Sequence, residues 1–192
     1  MLHHKGTVTI ETDRLILRRF TMEDVEPMFL GWATDPEVCR HMTWPPHENM
    51  EVTRELLERW TGSYGAADYY NWAIVLKENG PKPIGNISTA HVKESTLCAT
   101  MGYCMSRAHW GKGIMTEALT ALIDFFFTEV GVNRIEADHD PNNPASGRVM
   151  EKSGMIYEGT LRQAGRSNQG IIDVSRWAIL RQDWRKDHEQ TH

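Results

Sequence analysis

The stretch His109–Leu119, HWGKGIMTEAL, places a glycine on either side of a lysine, immediately before an apolar-periodic run. From Gly113 to Val130 pairs of apolar residues recur every four positions and Gly131 follows the last pair, a pattern that predicts one long helix. The N–H groups at a helix start are unpaired and carry partial positive charge, so they bind phosphate oxygens where no side chain blocks the backbone. The two glycines therefore predict a phosphate-binding helix start, although a plain turn joining a strand to a helix explains the pattern equally well.

Strands and helices alternate on both sides of this stretch. The apolar periods and turn residues predict strands at 14–20, 72–77, 83–92, 97–106, 134–140, 155–160 and 173–180, and helices at 21–34, 51–60, 113–130 and 143–153. Three strands in succession indicate an antiparallel meander, and the later alternation indicates a mixed α/β sheet with helices on both faces. Without a linker or a shift in composition, we expect a single domain over residues 1–192, with a core at about 11–184 and loose termini at 1–10 and 185–192.

Composition excludes several classes of function. A net charge of -5 argues against a nucleic-acid or anionic-membrane binder and leaves room for a cationic substrate. With neither a span-length apolar run nor a signal peptide, the expected location is cytoplasmic. Three cysteines without CxxC spacing predict reduced thiols, and Cys39, His41, His47 and Glu48 match no standard ligand spacing, so no metal is expected. The phosphate-loop and dinucleotide fingerprints are both absent.

Two motifs resemble those of a known family. GYCMSRAHWGKGIMTEAL (102–119) and, after a strand, NNPASGRVMEKSGMIYEG (142–159) resemble the central motifs of the GNAT superfamily of acyl-CoA-dependent N-acetyltransferases. The opening ETDRLILRRFTMEDVEPMF (11–29) is similar to the start of the branch that contains the ribosomal-protein N-terminal (alanine/serine) acetyltransferases. The resemblance runs from about Glu11 to about Trp184 and implies the GNAT fold, whose mixed, mostly antiparallel sheet splays at the cofactor site.

The resemblance also implies where acetyl-CoA binds. Its pyrophosphate would be cradled by Gly111, Lys112, Gly113, Ile114 and Met115, with Thr116 close by. The strand carrying Tyr103, Cys104 and Met105 would splay from the strand at 134–140, the pantetheine arm would fill the gap, and a backbone N–H near Cys104 or Met105 would polarise the thioester carbonyl. Asn143 would contact the arm. The superfamily often has Gln or Arg three residues before the first glycine, where this chain has Ala108, so neighbouring Arg107 is the candidate phosphate contact.

The short helix after Asn143 carries further candidates. Ser146 completes the family's NxxS step and is our candidate proton donor to the departing thiolate, although Asn143 and Ser146 also suit simple helix capping. Arg148 and Lys152 lie four residues apart, so they face either the 3′-phosphate of the cofactor or the solvent.

The general base is the least defined element. Relatives often place a glutamate on the strand CATMGYCM (98–105), which here has no carboxylate. Glu158, His139 and His91 are the candidates on flanking strands, and an ordered water is an equal alternative. The loop RHMTWPPHENM (40–50) is expected to cover the acceptor site, with Met42 and Trp44 forming an apolar slot and Glu48 facing a cation.

These observations predict an acetyl-CoA-dependent N-acetyltransferase acting by direct transfer. A protein N-terminal α-amine is the leading acceptor, because its pKa of about 8 makes modest demands on a base. The alternatives are a small-molecule amine acetyltransferase, acting on a polyamine or aminoglycoside, and a non-catalytic acyl-CoA-binding module. No nucleic acid or membrane partner is expected, and the resemblance leaves a homodimer possible.

Overall fold

Eight strands form one sheet in the computed structural model, which describes residues 1–184. The strands are β1 Ile10–Glu11, β2 Leu15–Arg18, β3 Asn71–Leu76, β4 Pro83–Lys93, β5 Cys98–Met105, β6 Arg134–His139, β7 Ile156–Ser167 and β8 Gly170–Leu180. Their order across the sheet is β1-β2-β3-β4-β5-β6-β8-β7. Every neighbouring pair is antiparallel except β5 and β6, which are parallel. The predicted mixed, mostly antiparallel sheet is thereby confirmed.

Five helices accompany the sheet: α1 Val25–Met28, α2 Pro36–Cys39, α3 Met50–Ser63, α4 Ile114–Phe125 and α5 Pro144–Lys152. Helix α1 continues as a π turn over Phe29–Ala33, and α4 continues as a π turn over Phe126–Val130. The caps follow the sequence: the Asn49 side chain accepts from the first turn of α3, and Pro144 begins α5 behind the cap Asn143. Gly131, with a φ of +89°, ends the long helical run as its position predicts.

The helices cover both faces of the sheet, as predicted. Helix α4 buries one apolar stripe, including Ala118, Leu119 and Leu122, against Trp72 and its neighbours on one face. A second cluster on the opposite face contains Trp32 of the first helical segment and Leu57 of α3. The chain from β5 into α4 therefore crosses from the sheet to a helix that is anchored deeply in the core.

The parallel pair β5 and β6 separates partway along its length. Pairing extends only from Cys98 with Arg134 to Met101 with Ala137. Beyond that point β5 continues to Met105 while paired with β4 alone, and β6 continues to His139 while paired with β8. The expected splay is confirmed, and it leaves one side of the end of β5 without a strand partner in the described chain.

Two parts of the structure differ from the sequence prediction. The first ten residues, expected to be loose, pack against the fold: Leu2 is buried, and Trp72 Nε1 donates to the Val8 carbonyl at 2.6 Å. This segment has no periodic pattern of apolar residues. It is held by a few individual contacts, which the sequence pattern could not predict. The strands β7 and β8 extend well beyond the predicted 155–160 and 173–180, because register shifts around Gly159 and Gly165 let polar residues continue the hairpin.

Residues 185–192, the predicted C-terminal tail, lie outside the described residues. None of the helices in the described part of the chain combines the length and apolar character that a membrane span requires.

Candidate active site

A cleft of about 340 Å³ opens where β5 and β6 separate. Its walls are the start of α4, one side of α5, the end of β5 and the segment around α2. Thirteen of the residues predicted from the sequence line it: Met42, Tyr103, Cys104, Met105, Gly111, Gly113, Ile114, Met115, Thr116, Asn143, Ser146, Arg148 and Lys152. The structure therefore brings most of the predicted cofactor residues together around one space.

The glycine loop has the backbone conformation that glycine favours. Gly111 and Gly113 both have a φ of +73°, and Gly113 is the N-cap of α4. A Cβ placed on Gly111 would meet nothing within 4 Å, so the space in front of this backbone is open. A bare, left-handed loop ahead of a 12-residue helix is the arrangement that binds phosphate oxygens.

Arg14 holds this loop against β2, which the sequence did not reveal. Its Nη1 donates to the Lys112 carbonyl at 3.0 Å, and its Nε donates to Glu117 of α4 at 2.6 Å. Thr12 adds a hydrogen bond to the same carboxylate at 2.5 Å. Burial opposes ionisation of Glu117, but the bonds from Thr12 and Arg14 together lower its pKa, so the carboxylate is charged at neutral pH. The Lys112 side chain is exposed and only its backbone takes part in this clamp.

Tyr103 and Ser146 meet across the cleft between β5 and α5. The Tyr103 hydroxyl lies 3.0 Å from Ser146 Oγ and donates to the Ser146 carbonyl at 3.1 Å. Asn143 Oδ1 accepts from the Ser146 N–H at 3.4 Å, so the capping role expected of Asn143 is present beside the cleft. Burial raises the pKa of Tyr103, which keeps the phenol protonated and able to donate.

Cys104 lines the cleft as a thiol. Its Sγ donates to Asn86 Oδ1 at 3.0 Å, and burial raises its pKa to about 12. Burial likewise raises the pKa of Cys39 to about 11. A protonated thiol is a weak nucleophile, so this chemistry favours direct transfer over an acetyl-cysteine intermediate.

The three candidate bases of the flanking strands lie outside the cleft lining. Glu158 forms a two-pronged ion pair with Arg134 at 2.5 and 2.8 Å, and this partner lowers the pKa of the carboxylate. His139 donates from Nδ1 to the Asp140 carbonyl at 2.8 Å, and its Nε2 accepts from Trp177 at 3.1 Å, so both ring nitrogens are engaged. These contacts favour structural roles for both side chains.

His91 is exposed on β4, and its Nε2 lies 3.0 Å from Thr100 Oγ1. Thr100 also donates to Glu136 at 3.1 Å. His91 is not among the residues that line the cleft.

The acceptor loop contributes only part of its predicted set to the cleft. Met42 lines the space, whereas Trp44 packs against His47 with ring centroids 5.4 Å apart and ring planes tilted by 56°, and Glu48 is exposed. Neither Trp44 nor Glu48 belongs to the lining. Arg107, the candidate phosphate contact, also lies outside it and pairs with Asp35 at 3.1 Å.

His41 also lines the cleft, and the sequence analysis proposed no role for it in the reaction. Its Nδ1 lies 2.9 Å from Asp140 Oδ2, and the Asp140 side chain is buried. Its one sequence signal was its position in the loop expected to cover the acceptor site, because Asp140 is 99 residues away along the chain.

Comparison with known proteins agrees with this geometry. A family model described as the acetyltransferase (GNAT) domain matches residues 14–156. The chain is 30% identical over 176 residues to the uncharacterized N-acetyltransferase p20 of Bacillus licheniformis, covering 92% of this chain and 98% of the relative. It is 32% identical over 151 residues to the ribosomal-protein-serine acetyltransferase of Escherichia coli (strain K12), covering 74% and 83%. A solved GNAT-family acetyltransferase from Bacillus anthracis is similar with a TM-score of 0.80 at 26% identity, covering 91% of this chain and 99% of that one.

Proposed function

This chain belongs to the GNAT acetyltransferase family, which makes it an acetyl-CoA-dependent N-acetyltransferase, and we propose that its acceptor is the α-amino group at a protein N-terminus. One observation supports transfer from acetyl-CoA: the bare start of α4, the end of β5 that lacks a partner on its β6 side, and the Tyr103–Ser146 pair line a single cleft. A phosphate cradle, an extended binding edge and a proton donor are what transfer from acetyl-CoA requires.

The phosphate end of the cleft suits the nucleotide part of acetyl-CoA. Gly111 and Gly113 leave the backbone bare in the left-handed region, and the α4 start supplies partial positive charge. Arg148 and Lys152 line the same cleft from α5 and add two full positive charges. We assign the loop to the pyrophosphate and the α5 pair to the 3′-phosphate.

The opening between β5 and β6 suits the pantetheine arm. Residues 102–104 lack a strand partner on their β6 side in the described structure, so backbone groups that face this side are available to an extended ligand. When bound along this edge, acetyl-CoA supplies an activated acetyl thioester close to the Tyr103–Ser146 pair. A backbone N–H near Cys104 or Met105 then stabilises negative charge on the carbonyl oxygen.

The residues of the cleft divide the proton transfers between them. Ser146 Oγ, backed by the Tyr103 hydroxyl at 3.0 Å, gives a proton to the leaving sulfur. Tyr103 is protonated and can pass its proton on to Ser146, because a serine alkoxide is a stronger base than a phenolate. The thiol of Cys104 stays protonated and takes no part in covalent chemistry.

The acceptor assignment rests on the substrate side of the cleft and on one relative. Met42 lines the space together with Val38 and His41 from the segment around α2, which the sequence assigned to the acceptor side. The similarity to the ribosomal-protein-serine acetyltransferase of Escherichia coli favours a protein N-terminus over a free small molecule. A partly neutral α-amine also suits a cleft whose lining has no strand carboxylate.

Thiol release from acetyl-CoA tests the proposal across panels of N-terminal peptides, polyamines and aminoglycosides. We expect turnover with peptides that have a free α-amine, an acetyl group located on that nitrogen by mass spectrometry, and no turnover with the same peptides blocked at the N-terminus. Turnover confined to polyamines or aminoglycosides would replace the acceptor assignment with a small-molecule amine.

A further inference from the structure

The His41 side chain lines the cleft and is hydrogen-bonded to a buried carboxylate, that of Asp140. Nδ1 lies 2.9 Å from Asp140 Oδ2, and the exposed fractions of the two side chains are 20% and 7%. His41 follows α2, whereas Asp140 immediately follows β6, so this contact bridges the place where β6 has separated from β5. The ring therefore lies beside the opening that the reacting groups must share.

Asp140 is itself held in place by its neighbours. The backbone N–H and the side-chain Nδ2 of Asn142 donate to Asp140 Oδ1 at 2.8 and 3.0 Å, which leaves Oδ2 for His41. Burial opposes ionisation of Asp140, but the bonds from Asn142 and His41 outweigh it and lower its pKa. The carboxylate is thus charged and fixed, and it orients the imidazole with a proton on Nδ1.

The second ring nitrogen is the one available for chemistry. His41 Nε2 has no protein partner within residues 1–184, and it is not among the buried polar atoms left unpaired there, so solvent reaches it. His41 lines the same cleft as Ser146 and Tyr103, the pair assigned to the leaving sulfur. An acceptor amine entering beside Met42 would pass this nitrogen.

We propose that His41, oriented by Asp140, is the general base that takes the proton from the acceptor amine. The inference rests on the proposed function. The amine lone pair forms the N–C bond to the acetyl carbon, and the C–S bond breaks with its electron pair leaving on sulfur. The proton lost from the amine goes to His41 Nε2, and the sulfur takes its proton from the Ser146–Tyr103 pair. Asp140 is a positioning residue, which also stabilises the imidazolium that forms.

The other charged and titratable groups around the cleft are not suited to act as the base, because each is paired with another group, stays protonated or is a cation. Glu37 of α2 pairs with Arg40, the residue that follows this helix, at 2.6 Å. Burial keeps the hydroxyl of Tyr103 and the thiol of Cys104 on β5 protonated. The two cations of α5, Arg148 and Lys152, also line the cleft and are assigned to phosphate. Histidine is the side chain whose protonation normally changes near neutral pH, so His41 is the group in this set suited to a base.

The test measures kcat and its pH dependence with a peptide that the wild type acetylates. We expect His41→Ala to lower kcat by about 10²-fold, to lose the acidic limb of the profile, and to keep its affinity for acetyl-CoA. Added imidazole should restore part of the lost rate, which a merely structural role would not allow. In Asp140→Asn the new side-chain amide should donate to His41 Nδ1, which leaves the ring proton on Nε2 and so lowers kcat. The variant with both substitutions should have a kcat no lower than that of His41→Ala.

His4→Ala is the matched control. Its side chain is also 20% exposed and also lies beside a carboxylate, Glu94 at 3.1 Å, but it is outside the cleft, so wild-type rates are expected. A His41→Ala enzyme with the wild-type rate and pH profile would overturn the assignment of the base. If that variant fails to fold, an Asp140→Asn enzyme with an unchanged pH profile has the same meaning. A wild type that acetylates no amine in the panel would instead overturn the proposed function itself.

Discussion

The Tyr103 hydroxyl lies 3.0 Å from Ser146 Oγ. This contact connects β5, at the point where it has separated from β6, to helix α5 on the other side of the gap. The two residues come from separate motifs, 43 positions apart. Their contact places two proton-bearing groups together at the one point where β5, α5 and the opening meet. The two hydroxyls should therefore be tested together as the proton donor to the departing thiolate.

Replacing either hydroxyl should slow the chemical step without weakening cofactor binding. We expect Ser146→Ala and Tyr103→Phe each to lower kcat by about 10²-fold, while the acetyl-CoA dissociation constant stays near wild type. The two residues act in one relay, so the double variant should lose little more than the worse single variant. Unchanged turnover in Ser146→Ala would withdraw its role as proton donor. Since burial raises the pKa of Tyr103, kcat should show no alkaline loss from this group below about pH 10.

Cys104→Ala should leave turnover close to wild type. The thiol has a pKa of about 12 and donates to Asn86, so almost none of it is thiolate at neutral pH. The buried sulfur contributes to packing, and its loss should lower stability by about 1 kcal/mol. Steady-state kinetics should fit a ternary complex, and mass spectrometry of enzyme mixed with acetyl-CoA alone should show no added acetyl group. An acetylated Cys104 would contradict direct transfer.

The phosphate cradle can be tested with two glycines that both have a positive φ. Gly111 has a φ of +73° and Gly80 a φ of +76°, and a Cβ at either meets nothing within 4 Å. Glutamate at either position must adopt a positive φ, which strains the backbone by about 1–3 kcal/mol. Gly111→Glu should weaken acetyl-CoA binding at least about tenfold, or 1.4 kcal/mol, by placing negative charge beside the phosphates. Gly80 lies in a turn outside the cleft, so Gly80→Glu should bind acetyl-CoA with wild-type affinity. If the two variants lose the same affinity for acetyl-CoA, the assignment of the Gly111 loop to the phosphates is wrong.

Local sequence signals were enough to predict the two helix starts that line the proposed cofactor end of the cleft. The apolar pairs that begin at Ile114 placed the start of α4, and Asn143 with Pro144 placed the start of α5. Each of these signals lies within one helical turn, where backbone preferences act directly. The splay between β5 and β6 followed from the family resemblance, because periodicity alone does not show where two strands part.

The contacts that complete the site join residues far apart in sequence. His41 and Asp140 are 99 positions apart, and Arg14 and Lys112 are 98 apart. Such pairs leave no period and no motif, so polar residues on the strands were the natural candidates for a base. Glu158 was one of them, and its tight pairing with Arg134 depends on the β6-β8-β7 order, which no local pattern reveals.

Arg14 should matter for cofactor binding even though it does not line the cleft. It holds both the Lys112 carbonyl and Glu117, so Arg14→Gln should loosen the loop ahead of α4. A bond to a charged group is worth about 1.5–3 kcal/mol, and solvent screening of this half-exposed side chain reduces that to about 1 kcal/mol. We therefore expect KM for acetyl-CoA to rise about fivefold with kcat unchanged. Arg54→Gln is the control, since Arg54 is equally exposed and pairs with Glu51 on α3, away from the loop.

Asn168, in the turn between β7 and β8, fastens the acceptor segment. Its side-chain amide donates to the carbonyls of Cys39, Trp44 and Met42 at 2.7, 2.9 and 3.1 Å, and its N–H donates to Met42 at 2.8 Å. These bonds fix the backbone on both sides of Met42, which lines the cleft. Asn168→Ala should therefore raise KM for a peptide acceptor by about tenfold, equivalent to 1.4 kcal/mol, and leave acetyl-CoA affinity unchanged.

The adjacent exposed residue supplies the control for this last prediction. Gln169→Ala alters the same turn without touching the acceptor segment, so its acceptor KM should match wild type. Because His41 lies within the fastened segment, Asn168→Ala should also lower kcat, whereas a residue that only shapes the entrance would change KM alone. Measuring both constants under saturating acetyl-CoA separates the two effects. An Asn168→Ala enzyme with wild-type KM for the acceptor would show that the segment holds its position without this turn.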